Sequence, residues 1–127
     1  MNALYATTKQ GTIGELIVQL RFLEFDVQAA PPIKDSGNDL IAIKGATFRA
    51  IQVRCSVSGR ISKPKKKVSY HILAVVKLPK ENGRFVTSKA EVYLFSQNEV
   101  GGITGNVSKY PGNLLDENLI AAFFPPA

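Results

Sequence analysis

Residues 37–56 read GNDLIAIKGATFRAIQVRCS, two apolar runs separated by the dipeptide Gly45-Ala46. Residues 38–44 and 47–56 have the composition of strands, and a two-residue loop with glycine in first position is the type II′ preference of a tight hairpin. Such a loop fixes the register. If Lys44 pairs with Thr47, then Ile43 faces Phe48, Ile41 faces Ala50 and Asp39 faces Gln52. Side chains alternate between faces along a strand, so these six share one face and Arg54 joins them there. Opposed side chains begin about 5 Å apart at Cβ. The hairpin is thus expected to carry an apolar platform at its turn end and an Asp39, Gln52, Arg54 cluster at its open end.

The rest of the chain sets bounds on what that cluster can do. With 127 residues, 45% of them hydrophobic and 20% charged, the sequence has the makings of one globular domain spanning 1–127. No apolar run approaches the roughly 20 residues of a membrane span, and MNALYATTKQ lacks a signal pattern, so an intracellular protein without a membrane partner is expected. The single cysteine, Cys55, excludes an internal disulfide and a cysteine-based zinc site.

The net charge of +6 belongs to one region: between Leu40 and Lys80 there are ten basic residues and no acidic one. Five of them, Arg60, Lys63, Lys65, Lys66 and Lys67, fall in GRISKPKKKV, whose Gly, Ser and Pro predict a mobile loop. Clustered cations bind polyanions by releasing condensed counterions, and Lys9 is a further cation for such a surface. The alternative is a solvated loop that keeps the protein in solution.

Along the chain, apolar residues at helical spacing (Ile13, Leu16, Ile17, Leu20, Leu23) predict a helix from Lys9 to Phe25, with Thr7 or Thr8 as its cap. Gly11 and Gly14, poor helix formers, suggest close backbone approach or a late helix start. DVQAA is expected as a short strand, YHILAVVKL as a central strand buried on both faces, Asn82-Gly83 as a turn, FVTS and AEVYLF as further strands and SQNEV as a helical turn. Asn113 offers a cap for a final helix with Leu115, Leu119, Ile120 and Phe123 on one side. The sum is a small α/β domain with a mixed sheet flanked by helices.

A carboxylate and an amide oxygen meeting at a strand end can share a hard cation such as Mg²⁺ or Mn²⁺, and the Val53 carbonyl between Gln52 and Arg54 offers a third oxygen. Arg54 stays protonated and can hold a phosphate, though it cannot accept a proton. The alternative is a polar hairpin end with an ordinary Asp39–Arg54 ion pair. The lone His71 reads as structural, and Cys55, on the opposite strand face, as a small apolar filler.

The segments GTIGELIVQLRFLEFDVQ, DSGNDLIAI, FRAIQVRCS, YHILAVVKL and AEVYLFSQNEV resemble the PD-(D/E)XK nuclease superfamily, in particular its small homing-endonuclease and Holliday-junction-resolvase-like branch. The resemblance covers about residues 9 to 100. It implies a restriction-endonuclease-like α-β-β-β-α-β core and metal-dependent DNA cleavage, with Glu15 as the helix glutamate, Asp39 as the metal-binding aspartate, Gln52 at the Glu/Gln position and Arg54 at the lysine. Glutamine there removes one negative charge from the metal site, and a planar guanidinium does not replace an ammonium simply. A catalytically silent nucleic-acid-binding module of the same fold is therefore the alternative, and a basic α/β protein that binds a protein partner is a third reading. On a helical wheel Glu15 lies away from the predicted apolar stripe, but Val18 and Phe22 flank it, so its side can face the sheet, another subunit or solvent. Small nucleases often dimerise to reach two strands, which makes a homodimer a further expectation.

Overall fold

The computed structural model describes residues 6–33, 39–64 and 69–126. Its first element is a 19-residue helix, α1 (Ala6–Glu24). It begins earlier than the spacing predicts, so Thr7 and Thr8 lie within it instead of capping it. Its end is a Schellman turn: Val27 N–H donates to the Phe22 carbonyl at 3.0 Å and Asp26 N–H to the Leu23 carbonyl at 3.0 Å. Asp26 takes the left-handed conformation (φ 63°) that this turn needs.

Of the predicted stripe on α1 only Ile13 and Ile17 pack against the core. Ile17, Val18 and Phe22 are buried, whereas Leu16, Leu20 and Leu23 are 57%, 57% and 59% exposed. The helix is apolar on two sides, and Gly14 decides which one the sheet takes. A Cβ at that position would come within 2.8 Å of Cys55 Cβ, so only glycine lets the helix approach β3 this closely. Gly11, with nothing near its missing Cβ, has no such part.

Five strands form one mixed sheet in the order β1 (Gln28–Ala30), β2 (Leu40–Lys44), β3 (Thr47–Ser56), β4 (Ile72–Lys77) and β7 (Glu91–Ser96). The β2–β3 register is the predicted one, from Lys44↔Thr47 through Ile43↔Phe48 and Ile41↔Ala50 to Leu40↔Ile51. Gly45 alone of the two loop residues has positive φ (59°), as a type II′ turn requires. β4 runs parallel to β3 and antiparallel to β7 and is buried along nearly its whole length. Among the described residues the β3-to-β4 crossover contains no helix where the α-β-β-β-α-β string has one; Gly59 and Pro64 punctuate it.

A second small ribbon, β5 (Lys80–Glu81) and β6 (Arg84–Phe85), turns at Asn82-Gly83, both with positive φ. Of the predicted FVTS strand only Phe85 is in a strand, β6, and Thr87 and Ser88 belong to a 3₁₀ turn at Thr87–Lys89. SQNEV forms α2 (Gln97–Val100), closed by a Ser96/Glu99 capping box. The last helix, α3 (Glu117–Phe123), starts later than expected because Asp116 caps it, accepting from Leu119 N–H at 2.9 Å. Asn113 instead donates to the Leu94 carbonyl at 2.8 Å.

The sheet separates two cores. On one face Leu40, Ala42, Ile51, Val53, Ala74 and Leu94 pack under α1 and α3. On the other, Leu73, Val75 and Phe95 are covered by Val100, Ile103, Val107 and Tyr110 from the segment after β7. No helix among the described residues is long and apolar enough to cross a membrane.

Candidate active site

β2 begins at Leu40, but its partner β3 continues to Ser56, so the β2 side of β3 beyond Ile51 has no strand to pair with. Backbone groups left open in this way need other partners. Side chains supply them. Asp39 N–H donates to the Ile51 carbonyl at 3.1 Å, and its carboxylate Oδ2 accepts from Val53 N–H at 2.8 Å. Gln10, from α1, donates through Nε2 to the Cys55 carbonyl at 2.6 Å. Arg54 Nη1 donates to the Val53 carbonyl at 3.1 Å.

This corrects the expected cluster in one respect. Asp39 does not continue the ladder opposite Gln52; its carboxylate sits at the strand edge, on the N–H that the next rung would have used. Gln52 and Arg54 do share a face, since they lie in register with Leu73 and Val75 of the second core. Asp39 lies between the two faces. No ion pair joins it to Arg54, whose guanidinium turns to the Val53 carbonyl instead.

Glu15 comes from the other face. The side of α1 that carries Val18 and Phe22 is the buried one, and Glu15 stands half-buried on its flank. Its carboxyl binds a proton more tightly than usual, first because burial disfavours the charged form and second because the Asp39 carboxylate is near. Two carboxylates thus approach one another at the β3 edge. Val53 presents its carbonyl on that side too, because a strand residue directs N–H and C=O to the same neighbour.

Gln52 is the one buried polar residue of the described chain, 6% exposed, and its Oε1 has no hydrogen-bond partner. An amide oxygen buried without a donor costs roughly 1–3 kcal/mol, so an orphan of this kind calls for an electropositive partner. Among the described residues no three His, Cys, Asp or Glu side chains gather as a metal centre. The Glu15 and Asp39 carboxylates, the Gln52 amide and the Val53 carbonyl are all hard oxygen donors, the chemistry that suits Mg²⁺ or Mn²⁺.

Two neighbours were not anticipated. Gln10 lies one turn before Gly14 and holds the helix to the open edge, and its only sequence signal is a polar residue on what becomes the sheet-facing side. Buried Tyr70 has a phenol that gives up its proton less readily than usual because of burial, an effect the nearby Arg54 charge opposes, so it borders the Arg54 side of the site.

The basic residues divide. Lys9 is exposed, next to Gln10, and Arg60 and Lys63 line a groove with Thr104, Gly105 and Asn106. That part of the loop is docked: Ile61 N–H donates to the Gly105 carbonyl at 2.8 Å, Val107 N–H to the Gly59 carbonyl at 2.9 Å and Asn106 Nδ2 to the Ser58 carbonyl at 2.9 Å. Lys65, Lys66 and Lys67 lie outside the described residues. His71 is exposed, and its Nδ1 accepts from Ala50 N–H at 2.9 Å, a structural bond. Cys55, on the α1 face, has its thiol pushed up to about 11 by burial, which disqualifies it as a thiolate nucleophile at neutral pH. A larger cleft between the β2–β3 turn and α3, lined by Lys44, Thr47, Glu117 and Phe124, lies at the opposite end of β2 from Asp39.

No protein-family model and no curated protein sequence matches the chain. Among solved structures the chain is similar to that of a bacterial homing endonuclease, I-Ssp6803I, with a TM-score of 0.58 at 14% identity, over 80% of this chain and 73% of that one. At that identity the likeness is one of fold. Among the described residues the fold is α/β, a five-stranded mixed sheet with three α-helices, similar to the fold of that endonuclease.

Proposed function

We propose that the protein is a divalent-metal-dependent DNA endonuclease of the PD-(D/E)XK kind, hydrolysing phosphodiesters at the open edge of β3. The observation that carries the reading is the buried Oε1 of Gln52, left without a hydrogen-bond partner one residue before the Val53 N–H that Asp39 caps, in a fold similar to that of a homing endonuclease. Asp39, Gln52, the Val53 carbonyl and Glu15 would hold Mg²⁺ or Mn²⁺. When bound there, the ion supplies Lewis acidity and neutralises charge on a phosphodiester.

The chain's own residues do the rest. Arg54, always cationic, lies at the same edge and holds the phosphate as its charge develops. Glu15, half-buried on α1 near Asp39, can use the carboxylate oxygen that does not face the ion to take the proton that an attacking water gives up as its oxygen bonds to phosphorus. The departing sugar oxygen takes its proton from solvent. Lys9, Arg60 and Lys63, with the lysines at 65–67, supply the sequence-independent grip on the DNA backbone. A homodimer would bring two such sites to one duplex.

A second reading is favoured by the Arg54 contact at 3.1 Å on the Val53 carbonyl, which occupies one of the ligand oxygens. On that reading the protein binds DNA with the same surface but does not cut it. Incubating purified protein with supercoiled and branched DNA separates the two. The endonuclease reading predicts cutting with Mg²⁺ or Mn²⁺, none with chelator and none by Asp39→Ala. Salt-sensitive binding without metal-dependent cutting supports the second reading. Cutting unchanged in Asp39→Ala removes the proposed site.

A further inference from the structure

The cleft at the far end of β2 from Asp39 has a volume of about 680 Å³ and is walled by the end of α1, the β2–β3 turn and α3. Buried Ile120 and Phe124 and half-buried Phe25 make its apolar floor. Glu117, Ile120, Ala121 and Phe124 follow one another at helical spacing, so a single side of α3 lines the cleft. From Glu117 to Phe124 that side runs about 10 Å, at ~1.5 Å per residue. The walls are tied in place: Arg49 Nε donates to the Phe123 carbonyl at 2.8 Å, and Lys44 Nζ, the lysine of the lining, donates to the Phe25 carbonyl at 3.3 Å. Three carboxylates, Glu24, Asp26 and Glu117, stand exposed around the rim. Glu24 shares its charge with Arg21 at 3.3 Å, whereas Asp26 and Glu117 form no ion pair with a described residue.

We propose that this cleft docks a basic segment of a partner protein, an extended run whose apolar side chain covers Ile120 and Phe124 while lysines or arginines beside it reach Asp26 and Glu117. Charge complementarity selects that occupant. The chain as a whole carries +6, yet the rim of this cleft is acidic. The start of α1 is held at the end of β3 by the Gln10 bond to the Cys55 carbonyl, so Lys9, Arg54, Arg60 and Lys63 gather at the other end of the molecule. Thr47, in the cleft, and Arg54 are separated along β3 by roughly 23 Å, at ~3.3 Å per residue. That is more than two Debye lengths at physiological salt, each about 8 Å, so the carboxylates at hand and not the distant cations set the potential of the rim. A nucleic acid is repelled there and a cation is drawn in. The length of the groove selects a chain over a small amine. About 10 Å accepts three or so extended residues at ~3.3 Å each, enough for one apolar side chain with a cation on either side. The carboxylates also stand on different walls, Asp26 just past α1 and Glu117 on α3, so a single ammonium cannot serve both. The apolar floor supplies the anchor and the rim the sign of the partner. None of this rests on the nuclease reading, which concerns the other end of β3.

Panning a phage-displayed library of random linear peptides against the purified chain tests this without any cutting assay. Enriched peptides are expected to carry an aromatic or aliphatic residue flanked by lysines or arginines. Synthetic peptides of the enriched sequences are then titrated by fluorescence anisotropy. Asp26→Asn/Glu117→Gln removes two rim charges at nearly constant size, and asparagine tolerates the left-handed backbone of position 26 (φ 63°). It is expected to weaken binding by roughly 10-fold, as the loss of two exposed ion pairs does, and to lessen the salt dependence. Ala121→Trp, at an exposed position of the groove, is expected to abolish binding by filling the space over the floor while leaving the circular-dichroism spectrum intact. If the tryptophan disturbs folding, Ala121→Leu serves, with a smaller loss expected. A library that yields no enriched peptide overturns the proposal. So do enriched peptides without basic residues, or peptides that bind the folded variants as tightly as wild type. A cleft that takes phenethylamine, read as a rise in melting temperature lost in Ala121→Trp, but takes no peptide belongs to a small organic cation, which also overturns it.

Discussion

Gln52→Met separates a residue kept for the fold from one kept for a ligand. The side chain is 6% exposed and its Oε1 has no donor, so the folded chain bears the cost of a desolvated acceptor, roughly 1–3 kcal/mol. Methionine has nearly the same length and volume and no such oxygen, and it sits well against the Leu73 and Val75 side of the sheet. In chelator the variant is therefore expected to be more stable than wild type by about 1–2 kcal/mol, or roughly 3–5 °C of melting temperature per kcal/mol for a chain of this size. In saturating Mn²⁺ the order reverses. An ion at a hundred times its dissociation constant stabilises the wild-type fold by about 2.7 kcal/mol, and the variant, lacking a ligand oxygen, gains much less. Thermal unfolding followed by circular dichroism in the two buffers measures both quantities. A variant that melts several degrees below wild type in chelator shows that the amide has a structural partner, and equal Mn²⁺ shifts in both proteins refute its role as a ligand.

Other substitutions probe the neighbouring residues. Because the folded pKa of Glu15 is raised, the folded state binds the proton more tightly than the unfolded one, so this group's contribution to stability falls as pH rises from the ordinary carboxylate value through the raised one. Glu15→Gln is expected to raise the metal-free melting temperature at neutral pH, with no gain at a pH below the ordinary value, and to flatten the rise of Mn²⁺ affinity with pH measured by calorimetry. Gly14→Ala would push a Cβ to 2.8 Å from Cys55 Cβ and is expected to cost about 1–3 kcal/mol in a denaturant titration. Gly11→Ala, with open space around it, is expected to gain up to about 1 kcal/mol in the same titration. In a plasmid-cleavage time course, Arg54→Lys is expected to keep or raise the cutting rate and Arg54→Ala to lower it by roughly 10²–10³, as loss of a positioned charge does.

The hairpin was legible because a two-residue loop leaves only one register, and every pair from Lys44↔Thr47 to Leu40↔Ile51 follows from Gly45-Ala46. The next position was not, because a ladder says nothing about where it stops: Asp39 ends the strand by bonding Val53 N–H with its side chain. Periodicity also misjudged α1. A helix with leucines on one side and Val18 and Phe22 on another offers two apolar faces, and the choice rests on Gly14 meeting Cys55, a contact between residues far apart in the chain. The same blindness to distant contacts hid Gln10 and moved the final cap from Asn113, which is drawn to Leu94, to Asp116. What periodicity did see was that Val18 and Phe22 flank Glu15, and that is the side the sheet receives.

The most direct measurement is the anomalous difference density of a crystal soaked in Mn²⁺. The proposed site predicts a peak at the open edge of β3, about 2 Å from an Asp39 carboxylate oxygen and from Gln52 Oε1, the coordination distance of such hard ions. A well-diffracting soak with no peak beside Asp39, or with its Mn²⁺ bound elsewhere, would contradict the account.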